Sequence, residues 1–224
     1  MKVLELFSGS RSIGKVAEAK GHEVFSVDIE DFPRTDLVKN ILDVIPSDIP
    51  WIPDMIWASP PCTYFSVASI GHHWNKDNTP KTENAILGVR IVDHTIELIR
   101  YFQRCNPTLV YYIENPRGKL RKLDVVKSLH RATVWYCQYG DTRAKPTDIW
   151  SNNIREKNNL FTEFHTWSPR EQCRNGNPDC HHQSAPRGSQ TGTQGIKGNY
   201  ERSKIPLALC KEIINATQLY YEKD

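Results

Sequence analysis

The chain has 224 residues, 38% of them hydrophobic and 25% charged, which suits one globular domain with a sizeable core and a small appendage. No apolar run approaches the roughly 20 residues needed to span a bilayer, and Met1 to Leu6 enter a glycine and serine loop as a strand rather than as a secretion signal. The net charge of +3 is unevenly spread: residues 1–60 carry six Lys/Arg against ten Asp/Glu, and residues 116–146 carry eight Lys/Arg against two Asp. That division suits an acidic half for a neutral or cationic cofactor and a basic half facing phosphates. Six cysteines without a secretion signal fit a reduced cytoplasm, with thiols used for catalysis or metal.

Residues 2–7 read as the first strand. Ser8-Gly9-Ser10-Arg11-Ser12 is a turn of small residues, and Ser10 or Ser12 can cap a helix that runs to about Lys20. Gly21 ends that helix, and Glu23–Asp28 is a second strand closing on an acid. In such a βαβ unit the loop lets a ligand approach the backbone, the helix N-terminus offers N–H groups, and Asp28 can accept ribose hydroxyls. A G-x-G-x-x-G fingerprint is absent. Asp43 precedes a proline-rich connection and reads either as an adenine-amine contact or as a plain loop aspartate.

Met55–Ala58 is a short apolar run and reads as a buried strand, stopped by Pro60 and Pro61. Cys62 follows at the strand's carboxyl edge, where ligands collect in an open α/β sheet. On its own it reads as a small core residue. Residues 67–81 lack periodicity and read as a mobile loop, a candidate to close over a substrate. Residues 82–104 form the longest helix, with Leu87, Ile91, Thr95, Leu98 and Phe102 on its apolar stripe. Leu109–Ile113 is a strand covered on both faces, ending in Glu114-Asn115-Pro116. A basic segment, a short helix over about 122–129 and a strand over 133–137 follow. Pro146–Ser151 returns antiparallel, making a hairpin at the sheet edge. Residues 152–200 are polar and poor in apolar residues, so they need a staple or a partner. Residues 206–221 close the chain with an amphipathic helix begun by proline.

Cys173, Cys180, His181 and His182 lie in the polar segment, and Cys137 lies just before it. Three cysteines and a histidine are a normal structural zinc set, and a closed site would fold a segment with little core of its own. The expected ligands are Cys137, Cys173, Cys180 and His182, with His181 the competitor. Free surface thiols are the other reading.

Leu6-Phe7-Ser8-Gly9, Asp28, Asp43, Pro60-Pro61-Cys62-Thr63-Tyr64-Phe65-Ser66 and Glu114-Asn115 stand in one order along the chain. The set resembles the DNA cytosine-5 methyltransferase family. Pro-Pro-Cys looks like its nucleophile loop, Glu-Asn like its E-N motif, and the first strand like its F-x-G cofactor loop. Arg202-Ser203-Lys204-Ile205-Pro206-Leu207 is similar to its late G-N-x-V-P element. The likeness covers residues 1–151 and about 195–221. This chain departs at Arg11-Ser12 (a glycine pair in the family), at Pro116 (valine), at Arg202-Ser203 (Gly-Asn) and at Arg143-Ala144-Lys145, a shortened Gln-x-Arg-x-Arg element.

The resemblance implies a Rossmann-like S-adenosylmethionine-dependent methyltransferase sheet, mostly parallel with an antiparallel edge hairpin. It implies a catalytic and cofactor-binding core over 1–151, a small irregular target-recognition segment over 152–195, and a C-terminal return over 196–224, as in compact phage-type members. Cys62 is then the nucleophile that adds to cytosine C6 of a flipped base. Glu114 holds N3 and the exocyclic amine, Asn115 fixes the loop, and Arg143 holds the O2 edge or a phosphate. Phe7, Ser8, Gly9, Ser10, Asp28, Ile29, Asp43, Val44, Pro60 and Ser203 are the implied S-adenosylmethionine contacts. The implied partner is DNA, met by a cytoplasmic monomer in a bacterial or phage-infected cell. RNA as the substrate, or a catalytically silent nucleic-acid-binding module on the same fold, are the alternatives.

Overall fold

The computed structural model describes residues 1–67, 70–155, 165–173, 182, 196 and 198–222. Its strands are β1 (Lys2–Leu6), β2 (Glu23–Asp28), β3 (Leu37–Val38), β4 (Met55–Ala58), β5 (Val110–Pro116), β6 (Arg131–Trp135) and β7 (Pro146–Ser151). Its helices are α1 (Ser12–Ala19), α2 (Ile70–His73), α3 (Glu83–Cys105), α4 (Asn199–Ser203) and α5 (Leu207–Tyr221). The strands form one seven-stranded sheet in the order β3-β2-β1-β4-β5-β7-β6. All neighbours are parallel except β5 with β7 and β6 with β7. The expected α/β sheet with an antiparallel edge hairpin is therefore the observed architecture.

Alternation along the strands sorts the core into two layers. Leu4, Leu6, Ile56, Ala58, Tyr111 and Ile113 pack with α3 on one face. Val3, Met55, Trp57, Val110 and Tyr112 pack with α1, α5 and Trp167 on the other. Burying both faces is what requires the near-continuous apolar runs of β4 and β5. The buried face of α3 takes in Thr95, Leu98 and Phe102 of the expected stripe together with Ala85, Gly88, Val92, Ile96 and Ile99. Leu87 and Ile91 sit half-buried at its margin.

Several local expectations give way to tertiary contacts. The helix expected over 122–129 is two 3-10 turns, Leu120–Lys122 and Asp124–Val126, because buried Leu123 sits extended between them. The strand expected over 133–137 is Arg131–Trp135: Trp135 pairs with Pro146, which has no N–H to extend the ladder. Residues 67–81 are better anchored than their composition suggests. They contain α2, and Trp74 is buried, donates from Nε1 to the Tyr64 carbonyl at 2.7 Å and stacks on Phe65. The described flanks of the polar segment belong to the core as well. Trp167 is fully buried, and Asn153 bonds Tyr112 and Thr166. Cys180 and His181 lie outside the described residues.

Arg11 at the head of α1 corrects the expected serine cap. It takes a left-handed conformation with φ 52° and makes no side-chain cap. The capping comes from Glu5 on β1, whose carboxylate accepts from the Ile13 and Gly14 N–H groups at 3.1 and 3.0 Å. These N–H groups are consequently not offered to a ligand. Arg11 is itself buried, donating to Ser26 at 2.9 Å and to Glu18 at 2.7 Å.

Burial pushes the Glu5 carboxyl up from 4.5 to about 7, against the pull of its two N–H donors and Arg11. A raised acid pKa means that the folded chain holds this proton more tightly than the unfolded chain. The stabilisation is fully present below pH 4.5 and lost as pH rises through about 7. It amounts to about 3 kcal/mol at most. Urea unfolding between pH 4.5 and 7.5 should show this decline, and Glu5→Gln should flatten it.

Candidate active site

The strand order reverses between β1 and β4, and in open α/β sheets the crevice at such a switch point, beyond the carboxyl ends, takes the ligand. The register fixes what stands there. Val27, Leu6, Ala58 and Ile113 form one row across β2, β1, β4 and β5. The next row is therefore Asp28, Phe7, Ser59 and Glu114. Cys62 follows three residues after Ser59, on the loop that leaves β4.

That loop is held from three sides. Asn115, fully buried, donates from Nδ2 to the Pro60 carbonyl at 2.8 Å. The Cys62 carbonyl accepts from the Phe65 and Ser66 N–H groups, both at 3.0 Å, closing a tight turn. Lys119 N–H donates to the Phe65 carbonyl at 2.7 Å, next to Gly118. A Cβ at Gly118 would stand 2.2 Å from that carbonyl oxygen. Gly118→Ala should therefore displace the loop and destabilise the fold by about 1–3 kcal/mol, read by thermal unfolding.

Cys62 is half-exposed at its surface, yet its thiol is enclosed enough for burial to raise its pKa. Lys145 is the main charge pulling the other way, with Arg202 behind it, and the Glu114 carboxylate adds to the rise. Glu114 is itself buried and accepts at Oε1 from the Tyr136 hydroxyl at 3.1 Å. Burial and the Glu114 charge hold Tyr136 well above the usual phenol range, so it stays a donor. The Lys145 ammonium sits 4.5 Å from the centre of the Tyr136 ring. Cys62, Glu114, Tyr136 and Lys145 thus form one cluster.

Arg143 keeps one guanidinium nitrogen, Nη1, buried with no partner among the described residues. It is buried and pairs with Asp141, through Nε at 2.9 Å and Nη2 at 2.5 Å. Lys145, with the strained φ of 24°, is the cation turned toward Cys62. Tyr136 and Lys145 were not singled out from sequence. The available signal for Lys145 was its place in the shortened basic element. Tyr136 had none beyond its neighbour Cys137. Three of the eight basic residues of 116–146 are internal: Lys119 and Arg143 are buried, and Arg121 forks onto fully buried Asp148. Arg117, Lys122, Lys127 and Arg131 remain exposed.

The loop after β1 is the other wall. Phe7 and Gly9 take positive φ of 57° and 46°. Asp28 accepts from Gly9 N–H at 2.8 Å and from Glu30 N–H at 3.0 Å. Ser203 Oγ accepts from Ser10 N–H at 2.9 Å, and Ile205 N–H donates to Ser12 at 3.1 Å, so the C-terminal segment clasps this loop. Ser8 Oγ is buried with no partner among the described residues. Ile29 is 65% exposed beside Asp28, and Asp43 is exposed. Val44 is turned into the core and its carbonyl accepts from His94. Cys137, Cys173 and His182 come together on the far side of Tyr136's turn. A 660 Å³ cleft at the opposite sheet edge, lined by Lys2, Asp54, Cys105 and Asn106, includes none of these residues.

The chain is similar along nearly its whole length to a protein of frog virus 3 (isolate Goorha) named "Probable DNA (cytosine-5)-methyltransferase". Identity is 26% over 235 aligned positions, covering 96% of this chain and 99% of that protein. The resemblance carried by the Pro-Pro-Cys and Glu-Asn elements thus extends beyond them. No protein-family model matches the chain. Among solved structures, the Entamoeba histolytica methyltransferase EhMeth aligns over 77% of this chain at 15% identity and a TM-score of 0.48. A mutant of DNMT2 from Spodoptera frugiperda aligns over 67% at 24% identity and 0.43. The chain spans 57% and 49% of their respective lengths. Among the described residues, no helix is long and apolar enough to cross a membrane.

Proposed function

We propose that this chain transfers a methyl group from S-adenosylmethionine to C5 of cytosine in DNA. The observation that carries the reading is the placement of Cys62 and Glu114 at one sheet edge, beside the β1–α1 loop at the switch point.

Cytosine C5 is a poor nucleophile. Addition of the Cys62 thiolate at C6 makes the ring an enamine, with nucleophilic character at C5. As negative charge builds at N3 during this addition, Glu114 donates a proton to N3. Tyr136 holds Oε1 of that carboxylate and leaves Oε2 for the base. Lys145 and Arg202 offset the burial that disfavours the thiolate. Asn115, through the Pro60 carbonyl, positions the loop. The C5 proton then passes to a solvent base, Cys62 leaves as the thiolate, and the N3 proton returns to Glu114, which restores the ring and the enzyme. The target base must leave the helix to reach this edge. The DNA contact is assigned to the part of the segment 152–195 beyond its core-packed flanks at Asn153 and Trp167.

The β1–α1 loop suits the cofactor. Ser8 Oγ is buried with no partner among the described residues, and the Asp28 carboxylate has lone pairs beyond its two N–H contacts. Phe7, Ser8, Gly9, Asp28, Ile29 and Ser203 are the residues that would hold it. S-adenosylmethionine, when bound, supplies an electrophilic methyl group.

The test is incubation of the full chain with methyl-labelled S-adenosylmethionine and either duplex DNA or RNA, followed by nucleoside analysis. Label in 5-methyldeoxycytidine is expected. Label in RNA alone would move the substrate to RNA, and no label in either polymer would refute the reading.

A further inference from the structure

We propose that Cys137, Cys173 and His182 are ligands of a structural zinc ion. Their sulfur and nitrogen atoms all lie within 4.8 Å of one another. Cys173 Sγ and His182 Nδ1 are 3.7 Å apart. Two ligands at tetrahedral angles around one zinc ion stand about 3.6 Å apart for sulfur with nitrogen and about 3.8 Å apart for two sulfurs, given usual bond lengths. The Cys173–His182 pair already has nearly that spacing, and both pairs made by Cys137 lie within 4.8 Å. Its donors are thiols and an imidazole, which select zinc over calcium or magnesium. Cys173 is buried, at 5% exposure, so its sulfur is directed inward rather than offered to solvent.

The three residues come from separate stretches of chain. Cys137 lies in the 3-10 turn Tyr136–Tyr139 behind the active site. Cys173 ends the described stretch 165–173, which already lies on that turn. Arg170 N–H donates to the Tyr139 hydroxyl at 3.0 Å, and its guanidinium donates to the Gln138 carbonyl at 2.8 Å. His182 closes the set from beyond Cys173. A metal here would fasten the polar segment to the turn whose first residue, Tyr136, holds Glu114. Binding replaces the two thiol protons with bonds to the metal and releases those protons to solvent. In sequence, Cys180 and His181 adjoin His182 and lie outside the described residues. The proposal rests on the three described ligands and does not depend on which reaction the chain catalyses.

The experiment uses the full chain, purified reduced and without chelator. Elemental analysis should find about one zinc per chain. Replacement by cobalt(II) should give the thiolate charge-transfer band and intense visible bands of a tetrahedral sulfur site. His182→Ala should weaken metal affinity at least about tenfold while circular dichroism stays unchanged. Cys173→Ser should weaken it too, and if that variant does not fold, the cobalt spectrum of the unaltered chain still decides. Absence of stoichiometric zinc together with absence of cobalt bands would overturn the proposal. A disulfide between Cys137 and Cys173 in the reduced preparation would overturn it as well, and so would a cobalt spectrum unaffected by His182→Ala.

Discussion

Replacing Cys62 with serine is expected to lower methyl transfer at least about 10³-fold while leaving the fold intact. A serine hydroxyl fills the same space but ionises far less readily than a thiol and is a much weaker nucleophile toward C6. The side chain is half-exposed on a loop that its neighbours hold through backbone groups, so unfolding should shift by less than about 1 kcal/mol. The pH profile gives a second readout. Burial raises the thiol pKa and Lys145 lowers it, so activity should rise with pH as the thiolate fraction grows. Lys145→Met should move that rise to higher pH. Arg143→Met should not, because Arg143 pairs with Asp141 and is not among the cations that act on Cys62. A profile shifted by Arg143 and not by Lys145 would reverse the assignment of the two cations.

Glu114→Gln is expected to cost about 10²–10³-fold in turnover, with a smaller effect on DNA affinity. Glutamine can still accept from Tyr136 and keeps the volume of the buried site. It cannot follow the charge that builds at N3 by exchanging a proton. The effect should therefore appear in the chemical step, and single-turnover kinetics separate it from binding. Tyr136→Phe removes only a hydroxyl that holds Oε1 and should cost far less, about tenfold. Equal losses for Glu114→Gln and Tyr136→Phe would mean that Glu114 acts only as part of the packing.

What was readable in the sequence was local or periodic. The apolar runs of β4 and β5 are continuous because both sheet faces are covered, and their ends mark where chemistry can stand. Cys62 and Glu114 could be set side by side because each follows such a run. What the sequence concealed depends on partners far along the chain. Glu5 looks like an ordinary strand residue, yet it caps α1 across the fold and leaves Arg11 to occupy the left-handed position. Tyr136 lies beside Glu114 only through the antiparallel ladder that joins β5, β7 and β6. The basic stretch read as a phosphate-facing surface, but Arg121 and Arg143 answer Asp148 and Asp141 inside the protein. Trp74 ties down a segment whose composition offers no periodicity, because one large side chain beneath the Cys62 loop is enough to anchor it.

The central claim is that Cys62 bonds covalently to cytosine. Duplex DNA with 5-fluorocytosine at every cytosine supplies all sequence contexts at once, and fluorine at C5 blocks the release that normally follows proton loss. With S-adenosylmethionine present, the full chain should form a denaturant-resistant complex. Its mass should equal protein plus DNA plus one methyl group less the thiol hydrogen, and Cys62→Ser should abolish it. An adduct that survives Cys62→Ser would contradict the account, as would no adduct from a chain that methylates unmodified DNA.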